Sequence, residues 1–276
     1  MSPGPYETLA VRADGAVWHV TLNRPQARNA MTMAMVRELR TVLADAKAAG
    51  DVRVLVLRGA GGHFCAGADL KDMAAARERA SRADDDKRPL EPAADPIAEV
   101  NARFGELCVA WADTGLATVA VIEGTVMGGG FGLACVVDVA IASDTAVFRL
   151  PETSLGVVPA QVGPFLVERI GHAETKRLAV TGGTLDARAA LALRLVHEVH
   201  APDALDGVLQ RVLGEILRCA PGAISATKAL LARARFTPPV ALVREAAEVF
   251  SRAANGPEGV EGTAAFLARR KPSWAP

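Results

Sequence analysis

Val52-Arg53-Val54-Leu55-Val56-Leu57-Arg58, then Gly59-Ala60-Gly61-Gly62, then His63-Phe64-Cys65-Ala66-Gly67-Ala68-Asp69-Leu70-Lys71, is the stretch on which the reading of the fold turns. Its first seven residues are a short aliphatic run bounded by glycine, which reads as a buried strand. The four-residue loop behind it leads into small residues and then a helix-like segment. The same sequence of events recurs downstream: Ala117–Ile122 reads as a strand, Glu123 to Gly128 as a turn, and Gly129–Val136 as a helix. Asp138–Ala142 reads as a further strand, and Ala98–Asp113 as the helix before the second strand. Repeated alternation of strand and helix predicts an α/β fold rather than segregated α+β layers.

Toward the N-terminus, Glu7–Arg12 and Val17–Leu22 alternate with period two around Asp14-Gly15, the pattern of a β-hairpin. Met33–Ala49 follows with apolar positions at Met35, Val36, Leu39, Val42 and Leu43, so a helix is expected, capped by Thr32 and ended by Gly50. Arg77–Pro96 contrasts with its surroundings. It carries Asp84-Asp85-Asp86-Lys87-Arg88 and three prolines without an apolar period, and is read as a mobile surface loop beside the site. Beyond residue 200 the strands stop, and Asp203–Cys219, Gly222–Arg235, Pro239–Ala254 and Pro257–Arg270 read as four helices.

Composition narrows the classes of function. Among 276 residues, 31 basic and 31 acidic side chains cancel, so no net field draws the chain to nucleic acid or to a membrane surface. The four cysteines, Cys65, Cys108, Cys135 and Cys219, form no CxxC pair, and no His/Cys/Asp/Glu cluster has metal-ligand spacing. Reduced thiols, a cytoplasmic location, no metal and no membrane contact are the expectations, and the first ten residues lack the features of a signal peptide. The triple glycine Gly128-Gly129-Gly130 invites a nucleotide-binding reading, but spacing rejects it. A dinucleotide fingerprint needs Gly or Ala at the sixth position, and the two possible starts, Gly128 and Gly130, place Leu133 and Cys135 there.

Three segments carry the chemistry: His63–Lys71, Glu123–Gly132 and Leu150–Gly156. Small residues at two strand-to-helix junctions leave backbone N–H groups facing outward, where unpaired donors favour developing negative charge. Two such donors aimed at one carbonyl oxygen form an oxyanion hole. The triple glycine taken alone is equally well explained by a tight turn or close helix packing.

Taken in register, Asn23-Arg24-Pro25, Arg28-Asn29-Ala30-Met31, Phe64–Leu70, Gly128-Gly129-Gly130, Asp138, Pro151-Glu152 and Leu155-Gly156 resemble the enoyl-CoA hydratase/isomerase (crotonase) superfamily over nearly the whole chain. The resemblance implies a spiral of ββα units over residues 1–200 holding the CoA and active sites. It implies an α-helical region over 201–276 that assembles a homotrimer or a dimer of trimers. The substrate it implies is an acyl-CoA thioester, with no separate cofactor. By the same resemblance the oxyanion amides are those of Ala68 and Gly129. Ala66, Asp69 and Leu70 line the CoA groove with Lys71 near its phosphates, Gly128 and Gly132 border the acyl site, and Gln161 faces substrate. Phe250 and Arg269 match positions at the adenine and phosphate end. On its residues alone, Phe250 reads as a core aromatic.

Hydratases of this family typically carry two glutamates. Here Glu152 matches one, and Gly132 stands at the position of the other. A carboxylate restored at position 132 is expected to give a two-carboxylate site if the groove tolerates it. One carboxylate suffices to move a proton between Cα and Cγ. Hydration and Δ3,Δ2-isomerisation therefore both remain open, as does a non-catalytic acyl-CoA-binding protein, although a pure binder has no need of Glu152. Met127–Leu133 together with Val158-Pro159-Ala160-Gln161 is most similar to bacterial hydratases of methylglutaconyl-CoA and isohexenylglutaconyl-CoA. Glu152 is expected to have a raised pKa in an apolar surround of Phe148, Leu150 and Val157.

Overall fold

The computed structural model describes residues 4–85 and 95–276. The hairpin is present as β1 (Leu9–Asp14) and β2 (Val17–Leu22), two residues later in its first strand than the alternation suggested, with Gly15 at φ +55° in the turn. β2 pairs in parallel with β3 (Val54–Gly59), and β3 with β4 (Ala117–Ile122). β6 (Val139–Ser143) and β9 (Glu198–His200) extend the sheet in parallel, giving the order β1-β2-β3-β4-β6-β9.

The unbroken apolar runs of β3 and β4 follow from burial on both faces. Val54, Val56, Ala117, Val119 and Val121 pack with Leu205, Leu209, Val212 and Leu213 of α8 (Leu205–Leu217). Leu55, Leu57, Ala120 and Ile122 point to the opposite face and join Met35, Leu39, Leu107 and Trp111. These residues belong to α1 (Met33–Ala49) and α3 (Pro96–Ala112). The side-chain period of two thus splits each strand between two cores. α1 starts and stops where its caps require: Thr32 accepts the Met35 N–H at 3.1 Å, and Gly50 turns left-handed at φ +74°.

The region expected to be loop from Arg77 is corrected. α2 (Leu70–Asp85) runs through it, because Ala74 to Ala80 are strong helix formers and the helix needs no apolar period while mostly exposed. Pro96 does not break structure. It occupies the first turn of α3, after Asp95 accepts the Ile97 N–H at 2.8 Å. The rest of the expected loop, residues 86–94, lies outside the described residues.

A second sheet, unforeseen from the sequence, is formed by β5 (Thr125–Met127), β7 (Val147–Arg149) and β8 (Thr184–Asp186). Between β5 and β6 lies α4 (Gly129–Cys135). The chain then passes through α5 (Gly163–Ile170), α6 (His172–Thr181) and α7 (Ala187–Ala192) to β9. After α8 come α9 (Pro221–Ala234), α10 (Pro239–Asn255) and α11 (Pro257–Leu267). Lys228 of α9 ties this helical end to the body, its Nζ 2.7 Å from both the Leu116 carbonyl and Asp138 Oδ2. The same Asp138 oxygen accepts the N–H and hydroxyl of Thr118. Among the described residues no helix is long and apolar enough to cross a membrane.

Candidate active site

Two isolated bridges bring three loops to one place. Cys65 donates its N–H to Thr125 and accepts that of Met127, at 3.0 and 2.9 Å, which ties the segment after β3 to β5. Met31 in turn donates to the Gly67 carbonyl at 2.7 Å and accepts the Asp69 N–H at 2.9 Å. Residues 67 and 69 therefore face Met31, and the intervening Ala68 directs its N–H the other way. Gly129 opens α4, so its N–H has no acceptor within the helix. Gly128 before it adopts φ +46°, ψ −114°, a conformation only glycine takes readily. A β-carbon at Gly128 would lie 3.8 Å from the Gly67 Cα, so the residues preceding the two donors are in direct contact.

Glu152 completes the group. It starts a 3-10 turn (Glu152–Leu155) that Gly156 ends at φ +74°. Its Oε1 would be 3.1 Å from a β-carbon at Gly128, so the carboxylate lies against the backbone beside the Gly129 amide. Oε2 is buried and has no hydrogen-bond partner among the described residues. Burial pushes the Glu152 carboxyl above the usual glutamate range. Of the three residues expected to surround it, Phe148 and Leu150 are buried and Val157 is exposed. An ionisable oxygen held dry and unpaired is what a group that must both take and return a proton requires.

The Ala68 loop is held from below by two side chains. Asn29, fully buried, accepts the Arg24 N–H at 2.9 Å and donates to the carbonyls of Ala60 and His63 at 2.9 and 2.7 Å. It does so at φ +56°, where asparagine is tolerated and alanine is strained. Arg24 pairs with Asp69 at 2.9 Å. Burial alone would raise the Asp69 pKa, but the Lys71 amide, the Arg24 guanidinium and the Lys71 charge outweigh it and hold the group low. Asn29→Ala removes the partner of three half-buried backbone groups and is expected to cost about 1–3 kcal/mol, read from denaturant unfolding.

The remaining predicted positions divide into three sets. Ala66 is half-buried and donates to the Arg28 carbonyl at 2.9 Å, while Leu70 and Lys71 are exposed at the start of α2. Gln161 donates from Nε2 to Asn101 Oδ1 at 3.0 Å, so its carboxamide lies on α3. Phe250, 74% exposed on α10, is a surface aromatic rather than a core one. Arg269 follows α11 at φ +51°. Their helices pack chiefly on α9 and on one another.

Gly132 is buried, and a β-carbon there would stand 3.1 Å from Phe104 Cζ and 3.4 Å from Val162 Cγ2. A glutamate at 132 therefore requires the Phe104 ring, and to a lesser extent Val162, to give way by a few tenths of an ångström. Phe104 fills that space. In the sequence it is one apolar residue within a helical pattern, with nothing to distinguish it from core packing.

Comparison with known proteins shows the family. The family model described as "Enoyl-CoA hydratase/isomerase" matches residues 12–276. A "Probable enoyl-CoA hydratase" of Rhizobium meliloti is 34% identical, covering 96% of this chain and 97% of its own. A solved enoyl-CoA hydratase/isomerase from Marinobacter aquaeolei superposes with a TM-score of 0.92 at 45% identity, covering 98% of this chain and 99% of the other. Pseudomonas aeruginosa AtuE superposes with a TM-score of 0.91 at 49% identity, over 98% of this chain and 100% of the other. With this family match over nearly its full length, the chain belongs to the enoyl-CoA hydratase/isomerase (crotonase) family.

Proposed function

We propose that the protein adds water across the Cα=Cβ bond of an α,β-unsaturated acyl-CoA thioester, with Glu152 as its only general acid/base. The thioester oxygen is bound by the Ala68 and Gly129 amides. Glu152, ionised, takes a proton from water as the water oxygen bonds to Cβ. The double-bond electrons move into the thioester to give an enolate, whose negative oxygen the two amides stabilise. Glu152 then returns its proton to Cα, and the enolate collapses to the 3-hydroxyacyl product. The observation supporting this reading is the Glu152 carboxylate, whose Oε1 lies against Gly128 next to the Gly129 N–H and whose buried Oε2 has no hydrogen-bond partner among the described residues.

Ala66, Asp69, Leu70 and Lys71 are assigned to the CoA groove, Gly128, Gly132 and Gln161 to the acyl side, and Phe250 and Arg269 to the nucleotide end. A branched, glutaconyl-like acyl group fits the loss of the second carboxylate, because its own carboxylate can help to orient the water. The apolar faces of α9–α11, with Val243, Phe250 and Phe266 exposed, favour assembly into a trimer or dimer of trimers. Isomerisation of 3-enoyl to 2-enoyl esters is the second reading, favoured by the apolar Phe104 ring that lies over Gly132 where a second carboxylate would otherwise stand. Supplying 2-enoyl-CoA and 3-enoyl-CoA esters separately distinguishes them. Hydration removes conjugated-thioester absorbance with a gain of one water in mass, whereas isomerisation creates that absorbance with no mass change. Neither change with any ester of the panel would overturn both readings.

A further inference from the structure

The first turn of α4 is lined on its acyl side by one ring. Phe104 projects from α3 so that its outer edge meets two positions of that turn. Its Cζ and Cε2 would be 3.4 and 3.5 Å from a β-carbon at Gly129, and its Cζ and Cε1 3.1 and 3.5 Å from one at Gly132. Met31 Cε approaches the Gly129 position at 3.7 Å, and Val162 Cγ2 the Gly132 position at 3.4 Å. All three groups are apolar. By contrast, the polar Glu152 oxygen approaches at Gly128.

The seat of this ring is built. A β-carbon at Gly105, the residue after Phe104, would fall 2.1 Å from Gln161 Oε1, so α3 lacks a side chain where the Gln161 carboxamide lies. Gln161 is anchored there by its bond to Asn101, one turn earlier on α3. Asn101 and Gly105 thus seat α3 against the Gln161 segment that precedes α5, and Phe104 spans from α3 to α4. The Phe104 ring edge reaches α4, while the residue as a whole remains only half-buried.

We propose that Phe104 is the specificity-determining residue of the acyl site, its ring edge limiting the bulk of the substituent that an acyl-CoA ester carries at Cβ. This rests on the reading that the thioester oxygen sits at the Ala68 and Gly129 amides. An acyl group held by its oxygen at the Gly129 N–H has its Cα and Cβ within two or three bonds of that anchor. The ring over Gly129 and Gly132 is then the wall those carbons meet. In an apolar pocket one methylene more or less changes selectivity by roughly 10–200-fold.

The test compares kcat/KM for straight-chain and β-methyl-branched enoyl-CoA esters in the wild type, Phe104→Leu and Phe104→Ala. The 2-enoyl or 3-enoyl series is used according to which one the wild type consumes. The branched-to-straight ratio is expected to rise about tenfold or more in Phe104→Ala, and by less in Phe104→Leu, carried mainly by KM for the branched ester. Phe104→Leu keeps an aliphatic contact on α4, so it provides the measurement if the alanine variant does not fold. If both esters lose the same factor in the folded variants, Phe104 only packs and the proposal falls. A wild type that converts no ester of either series would instead remove the reading of the site on which the proposal stands.

Discussion

Replacing Glu152 with glutamine is expected to lower kcat by about a thousandfold, within the 10²–10⁴-fold range typical of losing a general acid/base, while leaving thioester binding nearly intact. The substitution keeps the side chain's shape beside Gly128 and removes only its capacity to carry a proton in both directions. Stopped-flow or single-turnover measurement of one enoyl-CoA ester, with binding followed separately, gives the result. Unchanged turnover would take Glu152 out of the mechanism.

Two further consequences distinguish proton transfer from mere packing. In either proposed reaction the working form of Glu152 is ionised, so kcat/KM falls as pH drops through its pKa. Because burial raises that pKa, the acidic limb should lie above the usual glutamate range and vanish from the residual activity of Glu152→Gln. The effect on stability has the opposite sign. A carboxyl whose folded pKa is raised favours the protonated folded state, so its contribution is fully present below the unfolded pKa and is lost as pH rises through the folded one. Glu152→Gln is therefore expected to melt higher than wild type at neutral pH, with the gap closing in acid. Equal melting temperatures at both pH values would mean that the carboxylate is better solvated than its position against Gly128 implies.

Elements with a full physical signature were legible without coordinates. α1 has an apolar stripe, an N-cap and a left-handed C-cap, and all three are found where expected. β3 and β4 were evident because strands covered on both faces carry unbroken aliphatic runs. The second sheet was not legible: β5, β7 and β8 are three residues each, too short for a period to register. The part of α2 from Arg77 onward read as loop, since an exposed, charged helix looks like a loop when the apolar stripe is the criterion. At the site, Glu152, Ala68 and Gly129 came from a pattern of motifs in register, which encodes backbone geometry. Phe104 could not come from that source. Its significance lies in which residues of α4 it covers, and the crossing of two helices is not written in the sequence of either.

Gly130→Ala is expected to cost about 3 kcal/mol and at least a hundredfold in kcat, although residue 130 offers the substrate no side chain. A β-carbon there would lie 2.5 Å from the Cys65 carbonyl oxygen and 2.7 Å from the Cys65 Cβ. Both are parts of a fully buried strand segment that the Thr125 and Met127 backbone holds on either side. Neither contact is with the free end of a flexible side chain, so α4 itself must back away from the Cys65 segment. Overpacking of this kind costs about 1–3 kcal/mol, occasionally more, or roughly 6–12 °C in Tm if the loss reaches about 3 kcal/mol. The loss in rate has a separate origin. One of the two amides proposed to bind the thioester oxygen, that of Gly129, precedes residue 130 on α4, and the other, that of Ala68, lies three residues beyond Cys65. The contact between Gly130 and Cys65 thus spaces the two donors, and a displacement of about 1 Å between groups that share one oxygen costs on the order of 10². Gly129→Ala supplies the contrast in stability, because its β-carbon would meet only the Phe104 ring edge at 3.4 Å and the Met31 methyl at 3.7 Å. Its Tm should stay within a few degrees of wild type, since both contacts are ordinary van der Waals distances. If Gly130→Ala melts like wild type and keeps its kcat, the spacing of the two amides is not set by the contact of α4 on Cys65.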